Sequence, residues 1–349
     1  MGAELDREQA MKICVVGAGA IGAYMAALLA HAGEEVTVVA RGAHLEAMKQ
    51  RGIRLLNRDS GETVEVRSIR AEAKPQLLGV QDCVLLGVKA HQIGPLVSDL
   101  RSLYGPDTSV VTLQNGIPWW YFHEHGGQLA GTRLASLDPD GRIAANIEPH
   151  RIIGCVVYKG AEVIEPGVVR HTVTPGDKFP LGELDGSSTA RVQTLSDTLK
   201  RAGIEAPVID DIRAEKWFKL WGNLAWNPIG ALTHGDILEI HDSPEASRLA
   251  LTMMYEAQAV AEKLGVRFRG TPEQRIARAR EIGRGRSSML QDTESGRPLE
   301  VEALVGSVVE LARLIGTTVP HIETVYALTK LLSEVMVTRS GRVIVAPRE

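Results

Sequence analysis

Two short stretches of this sequence hold residue types that could do chemistry. The first is Gly17-Ala18-Gly19-Ala20-Ile21-Gly22, a G-x-G-x-x-G run. It ends the β-branched segment KICVVG (12–17) and opens a helical pattern over Ala20–His31. In that strand–turn–helix context each glycine has a task. The first permits the tight turn, the second lets a pyrophosphate reach the backbone, and the third lets helix and strand close on one another, with the phosphates at the helix N-terminus. Gly17, Gly19, Ala20, Ile21 and Gly22 are therefore candidate dinucleotide ligands. The second stretch is AEKWFKLWGNLAWNPIGALT (214–233), where Lys219, Asn223 and Asn227 recur at i, i+4 and i+8. At 100° per residue they drift only ~80° around a helix and form one polar stripe beside the apolar Leu220 and Leu224. A lysine and two asparagines among Trp217, Trp221 and Trp226 differ from the Glu/Lys alternation of a solvated face. All five tryptophans lie here or at Trp119-Trp120, shortly after Asn115. Core packing is the plain alternative for each of them.

The second strand speaks to which dinucleotide is bound. An NAD enzyme usually carries Asp or Glu at that strand's C-terminal end, on the ribose 2′-hydroxyl. Here EVTVVA (35–40) ends in Ala40 and is followed by Arg41, while Glu34 and Glu35 stand at the other end. An arginine suits a 2′-phosphate, so NADP is expected, with a solvated loop arginine as the alternative.

These residues need a scaffold. DCVLLGV (82–88) and SVVTLQ (109–114) are further buried-strand candidates. Continuous apolar strands separated by helices imply an α/β, doubly wound parallel sheet of Rossmann type. IRLLNRDSGETVEVRSI (53–69) alternates around Asp59-Ser60-Gly61 and reads as a hairpin. RIIGCVVY (151–158), EVIEPGVVRHTV (162–173) and FPLGEL (179–184) read as antiparallel strands joined by Pro/Gly turns, and 121–150 as an elaborated loop region. After Asp210 strand runs disappear, and 212–232, 244–264, 299–315 and 321–338 show helical periodicity. The expected organisation is a polar extension over 1–10, a dinucleotide-binding domain over 11–210 and an all-α substrate domain over 211–349.

Composition narrows the class. The chain has 349 residues, 39 Lys plus Arg against 43 Asp plus Glu, and a net charge of −4. That balance gives no electrostatic footprint for nucleic acid or anionic lipid. Ile13–Ala30 is uncharged and mostly apolar, but its glycine pattern and the acidic flank MGAELDREQA argue against a membrane span or signal core. Cys14, Cys83 and Cys155 each lie in apolar runs with no Cys-x-x-Cys, as expected of reduced, buried thiols in a cytoplasmic protein. His123 and His125 lack partners at metal spacing, so no metal is expected.

Taken in order, GAGAIGAYMA, VKAHQ (88–92), LQNG (113–116), WFKLWGNLAWNP (217–228), SSMLQD (287–292) and GRPLE (296–300) resemble the ketopantoate reductase (2-dehydropantoate 2-reductase) family over most of 12–335. The resemblance implies a Rossmann domain followed by a helical domain like that of 6-phosphogluconate dehydrogenase. It implies NADPH-dependent reduction of a 2-keto acid to a 2-hydroxy acid in the cleft between them, most simply ketopantoate to pantoate in pantothenate biosynthesis. It makes Lys219 the general acid, and Glu300 the carboxylate that holds the substrate hydroxyl or tunes the lysine. Asn115, Asn223, Asn227 and Ser288 become substrate ligands. Lys89 and Asn115 lie by the cofactor, and Arg41 takes the 2′-phosphate. The chemistry agrees: hydride addition to a ketone builds an alkoxide, which needs a proton or positive charge in reach, and a desolvated lysine can have its pKa lowered toward neutrality. Plain alternatives remain for several residues: a solvated acid for Glu300 beside Glu302, a surface loop residue for Lys89, and a cap of the helix Met289–Asp292 for Ser288.

The stretch LQNGIPWWYFHEHGG (113–127) is bulky and aromatic, and Arg284 and Arg286 precede Ser287. Both leave room for a related dehydrogenase on a bulkier 2-hydroxy acid. A non-enzymatic NADP-binding sensor is the remaining rival; the presence of both Lys219 and Glu300 weighs against it. The expected partners are a small-molecule 2-keto acid and a second copy of the chain as a homodimer, with neither nucleic acid nor membrane.

Overall fold

A computed structural model describes residues 10–278 and 283–345. The expected polar extension over 1–10 lies outside these residues except for Ala10. The chain divides into an α/β unit, made of Met1–Gln114, Phe122–Thr132 and Gly141–Ile212, and a helical unit, made of Asn115–Tyr121, Arg133–Asp140 and Arg213–Glu349. Two excursions into the helical unit thus fall within or just before the stretch read as a loop region.

The α/β unit holds two sheets. Strands β1 (Lys12–Val16), β2 (Glu35–Val39), β5 (Arg70–Glu72), β6 (Gln81–Leu86), β7 (Tyr104–Thr112), β8 (Ile152–Cys155) and β11 (Leu181–Glu183) form the larger, in the order β11-β8-β7-β6-β1-β2-β5. All its neighbours are parallel except β11 against β8. Strands β3 (Ile53–Asn57), β4 (Thr63–Val66), β9 (Ala161–Glu165) and β10 (Val168–His171) form the smaller, in the order β4-β3-β10-β9. The hairpins β3–β4 and β9–β10 are antiparallel, as their turns require. The sequence reading needs correction at two strands: β10, besides its antiparallel neighbour β9, pairs parallel with β3, and β8 is not part of an antiparallel set alone. It extends the parallel sheet beside β7, in the register Val110↔Ile152. All four of its residues are buried, and a strand buried on both faces belongs inside a sheet.

Helix α1 (Ala20–His31) packs against strands of both sheets. This explains why it is apolar nearly all round: both of its faces are covered, and its side chains join one core with β1, β3, β10 and β11. The apolar run Ile13–Ala30 is therefore a strand, a turn and a buried helix. Among the described residues no helix is long and apolar enough to cross a membrane. Helices α2 (Gly42–Arg51), α3 (Val97–Leu100), α4 (Arg142–Asn146) and α5 (Ala190–Arg201) complete this unit. The three cysteines are free and buried; burial pushes the Cys14 thiol up to about 12 and raises that of Cys83 as well.

The helical unit contains α6 (Ile212–Thr233), α7 (Ile237–Asp242), α8 (Pro244–Lys263), α9 (Pro272–Ala277), α10 (Ser288–Ser295), α11 (Ser307–Leu314) and α12 (Pro320–Thr338). A π-helical turn, Glu302–Gly306, leads into α11. Helix α6 runs through Pro228, which has no N–H to offer the Leu224 carbonyl.

Helix α2 is tied to the smaller sheet through His44, whose Nδ1 accepts from the Gly167 N–H at 2.9 Å. An imidazole that accepts there is neutral. Burial lowers its pKa from the ordinary 6.5, against a smaller opposite pull from the Ala18 backbone. A depressed histidine pKa stabilises the fold above the unfolded value and loses that contribution as pH falls through the folded one. The melting temperature should drop as pH is taken from 7.5 to 5.5, and His44→Gln should flatten that dependence. Equal slopes for the two proteins in a calorimetric series would refute the assignment.

Candidate active site

The dinucleotide loop is built by close approach. Gly17 has φ +96°, and a Cβ there would lie 2.4 Å from Val88 Cγ1 and 2.7 Å from Val88 N. A Cβ on Gly22 would lie 2.0 Å from the Gly17 carbonyl oxygen. Both positions therefore exclude every residue but glycine. Gly19 differs: a Cβ there would meet nothing within 4 Å. It is the N-cap of α1 and offers no side-chain acceptor. The first N–H groups of α1 thus open onto space without a capping side chain, which is what an approaching pyrophosphate needs. Ala20 and Ile21 form the first turn of that helix. The residues present fit a nicotinamide dinucleotide.

At the end of β2, Ala40 is buried and its N–H donates to the Glu72 carbonyl at 3.0 Å. Arg41 is exposed and extended as the N-cap of α2. The Glu72 carboxylate on neighbouring β5 is engaged by Lys49 at 3.4 Å. Lys89 is half-buried after β6, and its N–H donates to Gln92 Oε1 at 3.0 Å. The Gln114 amide donates to the carbonyls of Leu86 at 2.7 Å and Val88 at 2.8 Å. It anchors the end of the β7 segment, and the next residue, Asn115, already belongs to the helical unit.

In that unit the Lys219 ammonium donates to Asn115 Oδ1 at 2.6 Å. Two residues 104 apart in sequence are thereby joined. The cause is Gly116. It has φ +83°, a Cβ on it would lie 2.0 Å from the Ala303 carbonyl oxygen, and the Ile117 N–H donates to that same oxygen at 3.0 Å. The backbone after Asn115 is thus seated on the π-helical turn that follows Glu300. Glu300 itself is buried.

Along α6, Lys219 and Asn223 are half-buried while Asn227 is buried. Ser288 is exposed at the first position of α10. It does not cap that helix: Ser287 does, its hydroxyl accepting from the Leu290 N–H at 3.2 Å. The capping alternative for Ser288 is thereby removed. Gly116 was missed by sequence reasoning, although its place directly after Asn115 was a signal. Among the described residues no group of three or more His, Cys, Asp or Glu stands together to hold a metal.

The tryptophans take their plain role. Trp217 and Trp221 are buried, with indole N–H groups donating to Tyr121 Oη and the Met254 carbonyl, each at 2.8 Å. Trp120, Tyr121 and Phe122 are closed to solvent, and the Arg213 guanidinium lies over the Trp120 ring at 5.9 Å. Trp119, Trp120, Tyr121 and Phe122, the aromatic residues after Asn115, are therefore buried.

Two family descriptions match this chain: ketopantoate reductase PanE/ApbA over residues 13–186, and its C-terminal counterpart over 211–333. The chain belongs to the ketopantoate reductase family. A 2-dehydropantoate 2-reductase from Mesorhizobium japonicum is 50% identical over 324 residues, covering 93% of this chain and 98% of that protein. A ketopantoate reductase homologue from Ralstonia solanacearum MolK2 superposes with a TM-score of 0.87 at 38% identity, covering 94% of this chain and 99% of the other. A 2-dehydropantoate 2-reductase from Methylococcus capsulatus has a TM-score of 0.77 at 31% identity, covering 93% and 97%. The protein is an oxidoreductase acting on a CH–OH group, from a family of nicotinamide-dinucleotide-dependent reductases. The Rossmann-type sheet followed by an all-helical region agrees with the expected fold class.

Gly22→Ala tests the loop geometry. The added methyl cannot coexist with the Gly17 carbonyl, so dinucleotide affinity in a fluorescence titration should fall at least ~10-fold, with a stability loss of about 1–3 kcal/mol. Unchanged affinity would mean that the turn does not cradle the phosphates.

Proposed function

We propose that this protein reduces ketopantoate to pantoate with NADPH, a step of pantothenate biosynthesis. The observation that carries the reading is the Lys219 ammonium held 2.6 Å from Asn115 Oδ1 on an incompletely covered face of α6. The bound dinucleotide would supply the hydride, and the glycine turn with the α1 N-terminus would hold its pyrophosphate. Hydride addition to the keto carbon leaves charge on the keto oxygen. Lys219 Nζ is the proton donor to that oxygen, and Asn115 holds one of its N–H groups so that the ammonium keeps a fixed direction. Glu300 holds the substrate hydroxyl or tunes the lysine. Asn223, Asn227 and Ser288 bind substrate with groups that donate hydrogen bonds without titrating. Arg41 takes the 2′-phosphate, and Lys89 lies by the cofactor.

NADPH oxidation with ketopantoate and a panel of 2-keto acids tests the activity, and silence on every substrate would defeat it. Lys219→Ala should lower kcat by at least ~100-fold, the scale of a general acid. Arg41→Ala should raise the KM for NADPH by ~10-fold while leaving that for NADH within a factor of two, since only the former has the phosphate to lose. A wild-type preference for NADH would overturn the role of Arg41 and leave that of Lys219 standing.

A further inference from the structure

The helical unit holds a cavity of about 470 Å³ lined by none of the residues proposed for catalysis or substrate binding. Its walls are Ala135 and Ser136, the π-helical turn, α11 and α12. Tyr326 Oη donates to the Glu302 carboxylate, 3.0 Å from each oxygen, and Lys330 Nζ stands 3.0 Å from both Glu302 Oε1 and Tyr326 Oη. Glycine at 306 makes room for that carboxylate, since a Cβ there would collide with Glu302 Oε2. Glu310 is held by the backbone: Oε1 accepts from the Ala135 N–H at 2.7 Å and Oε2 from the Ser136 N–H at 2.9 Å. Every carboxylate oxygen in the wall thus already meets a donor. The cations are less engaged. Arg313 meets only Glu323, through Nη2 at 3.2 Å, and Lys330 retains an N–H beyond those given to Glu302 and Tyr326. Ser136 Oγ has no hydrogen-bond partner among the described residues.

We propose that this cavity binds a small inhibitor that carries one anionic group, carboxylate or phosphate, on a short apolar body, and that its occupant acts on Lys219 through the π-helical turn. The two acids and two bases of the wall balance, so hydrogen-bonding capacity rather than net charge selects the ligand. The uncommitted groups are donors, on Arg313, Lys330 and Ser136. An ionised carboxylate or phosphate only accepts, and a guanidinium beside an ammonium is a suitable pair for either. Ala135, Val309 and the Tyr326 ring supply apolar wall, and the volume is that of a small-molecule pocket. The route to the lysine is short. Glu302 opens the turn, and the next residue, Ala303, gives its carbonyl to the Ile117 N–H at 3.0 Å. That contact seats Gly116, and the adjoining Asn115 holds Lys219 Nζ. An anion drawn to Lys330 competes with Glu302 for the same ammonium and repels the carboxylate. Displacing Glu302 disturbs the turn that carries Ala303, so occupancy lowers turnover. The binding site stands apart from the reductase reading; only its effect on turnover rests on it.

The probes are isovalerate, its uncharged amide isovaleramide, and inorganic phosphate. Each is titrated calorimetrically into the full-length protein as wild type, Arg313→Gln, Lys330→Gln and Lys219→Ala, with melting temperatures alongside. At least one anion should bind, and the tighter of the two identifies the head group. Wild type and Lys219→Ala should agree within about twofold, because the catalytic lysine is not part of this cavity. Arg313→Gln and Lys330→Gln should each weaken binding ~10-fold, and the amide should bind ~10–100-fold more weakly than the acid, the scale of a charged hydrogen bond. Arg313→Gln leaves the Glu302–Tyr326–Lys330 contacts intact and so remains decisive if Lys330→Gln unfolds. With ketopantoate and NADPH both saturating, the bound anion should lower kcat about threefold or more in wild type and not in Arg313→Gln. The site is overturned if neither anion binds below ~50 mM, if the amide binds as well as the acid, if Arg313→Gln binds like wild type, or if Lys219→Ala abolishes binding. Binding that leaves kcat unchanged would overturn the link to Lys219. Uninhibited wild type that does not reduce ketopantoate would instead defeat the reductase reading, and the titrations would still decide the site.

Discussion

The hydrogen bond from the Lys219 ammonium to Asn115 Oδ1 is the constraint on which the proposed proton donor depends. A lysine on an open helix face would otherwise sample many rotamers, and ordering it has an entropic cost of up to ~2 kcal/mol. The amide oxygen fixes the direction of Nζ and adds no negative charge. A carboxylate in its place would hold the proton by direct Coulomb attraction. The bond exists only because the chain after Asn115 reaches the π-helical turn through Gly116, a contact of backbone on backbone that no side chain could share.

In the proposed mechanism helix α6 has to be core and reactive surface at once. Trp217 and Trp221 bury one side, which makes the helix rigid enough for Lys219 and Asn223 to keep their positions on another. Buried indoles with satisfied N–H groups are costly to move. Gly222, a weak helix former, then has a packing reason to be there, since Arg275 occupies the space where its side chain would stand.

The cofactor half solves a different problem by the same means. Gly17 and Gly22 bring strand, turn and helix closer than any side chain allows, while Gly19 leaves the helix N-terminus open. Helix α1 can be placed so firmly because both sheets cover it. The loop's geometry is therefore paid for by the same core that makes Ile13–Ala30 look like a membrane segment.

The glycine pattern, the parallel-sheet strands, the polar stripe on α6 and the change to helices after residue 210 were legible in the sequence, because each rests on local periodicity or on a residue type with one conformational use. The character of β8 was not, since a short apolar run reads alike in parallel and antiparallel settings and only its neighbours decide. The aromatic stretch 119–122 was ambiguous for a related reason: bulk is visible in sequence, but which side of a ring meets solvent is not. The choice of Ser287 over Ser288 as the cap turned on a single residue of helix phase. Local order of residues thus determined the elements and the residue types fit for the chemistry. Only the folded chain decided which distant groups meet, Asn115 with Lys219, Gly116 with Ala303 and Arg275 with Gly222, because those contacts depend on long-range packing that no sequence spacing encodes.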